Sequence, residues 1–129
     1  MKIAVLGAGM VGRAIALDLA KKFAVTSFDI NADNLSMLQQ KNQSVHIQQQ
    51  NLKDFAAYSS FLQPFDMVVL AVPGFMGYEA LQQVILAKKN CVDISFFPED
   101  ALALHELAKE NNVTAIVDCG VAPGMSNFI

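Results

Sequence analysis

Gly7, Gly9 and Gly12 stand at G-x-G-x-x-G spacing, directly after a run whose residues 3–6 are all apolar, and a lone acid, Asp29, follows 22 positions after Gly7. A glycine at the first position permits a tight turn off a strand. One at the second lets backbone approach a ligand with no Cβ in the way, and one at the third lets a helix pack closely on a sheet. The helix behind such a turn presents free N–H groups and the positive end of its dipole, which suits phosphate. Asp29, at the tip of a second strand, would accept hydrogen bonds from the hydroxyls of an adenosine ribose. Glycines at this spacing also occur as plain turns in nucleotide-free α/β domains. Strand, turn, helix, strand and acid in that order point instead to a dinucleotide site.

Other residue types that could do chemistry lie near the end of the chain. Asp118 and Cys119 follow a strand, where a carboxylate could accept a proton and a thiol could be activated. Each has a plainer use: Asp118 could hold the Gly120 loop through backbone N–H groups, and Cys119 could be a small buried apolar residue. No catalytic role is assigned to either. Cys91 and Cys119 lie 28 apart without C-x-x-C spacing or a matching histidine pair, so neither a metal site nor a disulfide framework is expected. His46 and His105 read as surface or packing residues.

These residues must be positioned by alternating strands and helices. Strands are expected at about 2–6, 24–28, 45–47, 66–72, 91–94 and 113–117, helices at about 11–22, 53–63 and 77–88, and a short helix containing Leu35 and Leu38 after Asn31. A further helix would open at Pro98, with Glu99 and Asp100 in its first turn. Val11, Ile15 and Leu19 give the first helix an apolar stripe, and Asn31 can cap the second. Residues 66–72 are the most apolar run, as a central parallel strand buried on both faces requires. Six strands with intervening helices describe a doubly wound parallel sheet of the Rossmann type, order 3-2-1-4-5-6. Ser126 or Asn127 could cap a following helix, so a second domain beyond Ile129 is expected.

Composition bounds the remainder. The 129 residues suffice for one domain, 53% of them are hydrophobic, and the mean hydropathy of +0.35 supports a full core. A formal net charge of −3 leaves no basic surface for nucleic acid. No apolar run reaches the roughly 18 residues of a membrane helix. The glycines and Arg13 interrupt what would otherwise imitate a signal peptide, so a cytoplasmic location is expected.

Three segments together resemble the N-terminal domain of the saccharopine dehydrogenase family, and look closest to its lysine 6-dehydrogenase-like branch. They are the glycine-rich opening, Leu70-Ala71-Val72-Pro73-Gly74-Phe75-Met76-Gly77, and Val92-Asp93-Ile94-Ser95-Phe96-Phe97 with the tail Asp118-Cys119-Gly120-Val121-Ala122-Pro123-Gly124-Met125-Ser126-Asn127. The resemblance implies an NAD(P)-dependent oxidoreductase acting at the C–N bond of an amino acid, with hydride moving between that carbon and the nicotinamide. The saccharopine reductases carry an acid where this chain has Ala122, which turns the reading toward the lysine dehydrogenase-like branch or an uncharacterised one.

The expected cofactor-binding set follows from the glycine loop and the carboxyl ends of the strands. It comprises Gly7, Ala8, Gly9, Met10, Val11, Gly12, Asp29, Ile30, Asn31, Asn51, Leu52, Ala71, Val72, Pro73, Ser95, Pro123 and Gly124. Phe75, Phe96 and Phe97 could wall the nicotinamide, although core use is the more ordinary role of such residues. NAD is expected over NADP, because Ile30, Asn31 and Ala32 offer no cation for a 2′-phosphate. None of the nine Lys and Arg falls in segments 71–78, 93–98 or 118–127, so groups that grip an amino-acid carboxylate would come from beyond Ile129. The 129 residues alone are then expected to be inactive. The expected partner is a small-molecule amino-acid substrate, with no nucleic acid and no membrane, and a homodimer is compatible with the sequence. The alternative is an NAD(H)-sensing regulatory domain of a potassium channel or transporter, which has similar length and fingerprint and needs no catalytic domain.

Overall fold

The structure, a computed structural model, describes residues 1–94, 104–117 and 127–128. Six parallel strands form one sheet: β1 (Lys2–Leu6), β2 (Ala24–Asp29), β3 (His46–Gln49), β4 (Met67–Leu70), β5 (Asn90–Asp93) and β6 (Ala115–Val117), in the expected order 3-2-1-4-5-6. A two-residue strand, β7 (Asn127–Phe128), adds antiparallel to the edge of β6. Asn127, expected with Ser126 as a helix cap, lies instead in this strand, and Ser126 lies outside the described residues; the unpaired backbone groups of an edge strand give a returning segment a ready partner.

Period-two alternation in β1 divides the core. Ile3 and Val5 face one side with Val25, Val69 and, from helix α1 (Met10–Leu19) and helix α2 (Ala32–Lys41), Ala16 and Leu38. Ala4 and Leu6 face the other with Phe28, Val68 and Leu70. There they meet Leu81, Val84 and Ile85 of helix α4 (Gly74–Leu86), Tyr58 of the single turn α3 (Tyr58–Phe61) and Ala108 of α5 (His105–Glu110). A strand buried on both faces must be apolar along its buried length, which accounts for residues 3–6 of β1 and for β4. At the other extreme β3 is an exposed edge, so it accepts Gln48 and Gln49, which read from sequence as a polar run after the strand.

Boundaries moved for local reasons. The helix expected at 77–88 begins at Gly74, because Pro73 has the fixed φ and missing N–H that suit a helix start. The helix expected at 53–63 is a 3-10 turn, Phe55–Ala57, followed by α3 alone. Its weak helix formers Ser59 and Ser60 leave the aromatic contacts of Phe55, Tyr58 and Phe61 to set the backbone. Helix α1 stops at Leu19, three residues early, in a tightened turn whose Lys21 N–H donates to the Asp18 carbonyl. Asn31 caps α2 as expected, accepting from the N–H groups of Asp33 and Asn34 at 2.9 and 3.1 Å. Among the described residues, no helix is long and apolar enough to cross a membrane.

Candidate functional site: a cleft at the sheet's switch point

The strand order reverses between β1 and β4, and the crevice outside their carboxyl ends is where open α/β sheets bind ligands. A cleft of about 870 Å³ lies there. Gly7, Gly9, Met10, Val11, Gly12, Asp29, Ile30, Asn31, Asn51, Leu52, Ala71, Val72 and Pro73 of the expected set all line it. Ala8 stands behind them, buried. Ser95, Pro123 and Gly124 lie outside the described residues, as do Phe96, Phe97, the helix start at Pro98, Asp118 and Cys119.

The three glycines do separate work. Gly7 has φ +106°, and a Cβ there would strike the Ala71 carbonyl oxygen. Its N–H donates to the Phe28 carbonyl at 2.7 Å, joining the loop to β2. At Gly12 a Cβ would strike the Gly7 carbonyl oxygen and press on Ala71 Cβ at 3.4 Å, so this glycine lets α1 descend onto the sheet. Gly9 differs from both. Its φ of −68° suits any residue, and a Cβ there would meet no atom of the described residues within 4 Å. None of the described residues requires glycine at that position. It opens α1 with no side-chain cap, so the N–H groups of the first turn are left to the cleft. An open approach to unpaired N–H groups at a helix start fits a pyrophosphate.

Asp29 fastens this end of the cleft. Its Oδ2 accepts from Ala8 N–H at 2.6 Å and its Oδ1 from Asn31 N–H at 2.8 Å. The circuit closes through the side of the loop: Arg13 Nη1 donates to the Ala8 carbonyl at 2.9 Å and to Asn34 Oδ1 at 3.2 Å, and Asn34 N–H returns to Asn31 Oδ1. Each carboxylate oxygen keeps a lone pair for a ribose hydroxyl.

The opposite wall is apolar. Pro73, Phe75 and Met76 line it from the start of α4, and Phe75 is 69% exposed. Phe75 is therefore a cleft residue and not core, because the first turn of α4 stands at the carboxyl edge of the sheet. Lys53 crosses from the loop after β3, its Nζ 5.1 Å from the Phe75 ring centroid. That loop is built: Asn51 Oδ1 accepts from Lys53 N–H, and the buried Tyr58 hydroxyl donates to the Leu52 carbonyl at 2.7 Å. Burial pushes the Tyr58 hydroxyl pKa upward. Among the described lining residues Asp29 is the one acid and Lys53 the one cation.

Sequence reasoning missed Asn34, Lys53, Met76, Ile94 and the bracing Arg13. Lys53 follows the expected Asn51-Leu52 directly, so that adjacency could have found it. Asn34 is three residues past the cap Asn31, one helical turn on, and so could also have been placed. Arg13 acts through side-chain reach across 21 residues, which spacing does not show. His46 is exposed on β3, away from the cleft. Cys91, on β5, is buried, and its thiol is pushed up to about 12 by burial and secondarily by Asp93, which disfavours the thiolate.

The profile of the saccharopine dehydrogenase NADP binding domain matches residues 3–116. Similar solved structures include saccharopine dehydrogenase (L-Glu forming) from Saccharomyces cerevisiae, at 20% identity and a TM-score of 0.83, over 95% of this chain and 28% of that one. UDP-N-acetylglucosamine 3-dehydrogenase from Acidithiobacillus ferrooxidans aligns at 20% identity and a TM-score of 0.73, over 91% of this chain and 36% of its own. Scyllo-inositol dehydrogenase from Lactobacillus casei, with bound NAD(H) and scyllo-inositol, aligns at 17% identity and a TM-score of 0.67, over 91% and 35%. At these identities the likeness shows a shared fold, and the chain spans about a third of each of these enzymes. With the profile covering most of its length, the chain belongs to the saccharopine dehydrogenase NADP binding domain family.

Proposed function

We propose that this chain is the cofactor-holding part of an oxidoreductase acting at the C–N bond of an amino acid, of the saccharopine or lysine dehydrogenase type. The observation that carries the cofactor role is Gly9, a glycine with an ordinary φ and empty space where its Cβ would be. Family membership supports the oxidoreductase reading over a sensing domain. A bound nicotinamide supplies the hydride acceptor or donor. The chain's own residues hold and orient it: the first turn of α1 takes the pyrophosphate, Asp29 the adenosine ribose, and the Pro73–Phe75–Met76 wall excludes water from one side of the cleft.

NAD is preferred to NADP in this reading, although the family description names NADP. Asp29 would repel a 2′-phosphate, and Lys53 belongs to the other wall. Substrate-gripping groups come from other parts of the enzyme, consistent with the share of saccharopine dehydrogenase that the chain spans. Calorimetric titration of the 129-residue chain should give NAD at least about tenfold tighter than NADP, roughly 1.4 kcal/mol, and no NAD reduction with lysine or saccharopine. Tighter NADP binding would overturn the preference. Turnover with either amino acid would show the site complete within this chain.

A further inference from the structure

We infer that Asn34 is the donor partner of Asp29 in recognising the adenosine ribose, with Arg13 as its positioning residue; this rests on the cofactor reading above. A ribose hydroxyl both donates and accepts, whereas a carboxylate only accepts. Asp29 can therefore meet only half of what O2′ offers. Asn34 lines the same end of the cleft and is half-buried. Its amide has one oxygen and one amino group, and the circuit determines which is which. Arg13 carries donors only, so the atom 3.2 Å from its Nη1 must be Oδ1. Nδ2, on the other branch of the amide, is left to the cleft, and no described residue accepts from it. Arg13 is held in turn by the Ala8 carbonyl at 2.9 Å, so the amide cannot turn over without breaking a contact to a guanidinium already fixed by the glycine loop.

Asp29 and Asn34 Nδ2 then form an acceptor–donor pair for one hydroxyl. A 2′-phosphate, which only accepts, would satisfy Asn34 and still be repelled by Asp29. Discrimination against NADP therefore stays with Asp29, and Asn34 adds affinity that depends on the hydroxyl itself.

The test is a calorimetric titration of NAD and its 2′-deoxyadenosine analogue into the native chain and into Asn34→Leu, Arg13→Met and Arg13→Lys, with melting temperatures confirming folding. Asn34→Leu should weaken NAD about five- to tenfold and change the deoxy analogue by less than about twofold, the scale of one hydrogen bond. Arg13→Met should reproduce most of that loss by freeing the amide to turn, and Arg13→Lys, which keeps a donor, should restore part of it. Equal weakening of both ligands by Asn34→Leu, or no weakening of either, would overturn the inference while leaving the cofactor reading intact. If the native chain binds neither dinucleotide, the cofactor reading falls and this inference with it.

Discussion

The wall of the cleft built by Ala8, Asp29, Asn31 and Asn34 is a closed circuit of hydrogen bonds, whereas the wall built by Pro73, Phe75 and Met76 is apolar and is approached by a single cation, Lys53. The first is fixed before any ligand arrives, since each member's direction is set by another's donors or acceptors. The second offers shape and water exclusion, with direction supplied by whatever lies against it. Under the proposed function, recognition of the cofactor's adenosine half would fall to residues 7–34, while the reactive half would rest on a surface that does not specify a substrate by itself.

Changes at the junction of the two walls should be the most severe. Gly12→Ala drives a methyl group into the Gly7 carbonyl and toward Ala71, damaging both walls together. A loss of about 3 kcal/mol, on the order of 10 °C in melting temperature, is expected by thermal denaturation. Gly9→Val, three residues away, should separate ligand from fold. The branched side chain fills the pyrophosphate approach, and NAD affinity should drop about a hundredfold, near 2.7 kcal/mol by calorimetry. The melting temperature should fall by no more than about 5 °C, because the exchange costs only a helix cap. A large fall would show that Gly9 serves the fold first.

The cluster beneath the apolar wall contains Cys91 and Tyr58, both with raised pKa values. The unfolded Cys91 thiol releases its proton near pH 9.0, while the folded one keeps it up to about 12. Stability should therefore be fully present below about pH 9 and decline as pH rises through that window, by up to about 1.4 kcal/mol per unit. Melting temperature against pH checks this, and Cys91→Ala should delay the decline to the Tyr58 range, which begins near pH 10.0.

Asp29 variants sharpen the contrast from the polar side. Asp29→Ala should lower NAD affinity about tenfold and close most of the gap to NADP, since it removes the ribose acceptor and two backbone anchors. Asp29→Asn keeps only one oxygen, so either Ala8 N–H or Asn31 N–H loses its acceptor, and this variant should fall between the two. The smallest effect belongs to Lys53→Met, which removes an exposed cation from the apolar wall. A loss of about two- to fivefold in NAD affinity, together with a weaker dependence on salt, is expected.

Much of this site was legible because its local rules are strict. A G-x-G-x-x-G turn, an acid at a strand tip and a proline after a strand each restrict backbone geometry within a few residues, and all of them line the cleft. Strand order followed from the alternation of strands and helices, because right-handed crossovers allow a doubly wound sheet the order 3-2-1-4-5-6. Contacts that depend on the reach of long side chains were not legible. Arg13 meets Asn34 across 21 residues, and Lys53 meets Phe75 across 22, in each case through flexible stems that periodicity does not follow. The stretch at 53–63 failed differently. Its helical pattern was overridden by ring packing among Phe55, Tyr58, Phe61 and Phe28, an interaction set by the sheet beneath it.

The Tyr58 hydroxyl reaches out of that aromatic layer to hold the Leu52 carbonyl, one residue before Lys53. Removal of this single oxygen, as in Tyr58→Phe, would leave the rings where they are and release the rim of the cleft. Natural variation at such a position could retune ligand affinity from inside the molecule, with no altered residue in reach of the ligand. Surveys of relatives that compare only cleft-lining residues would overlook that source of difference.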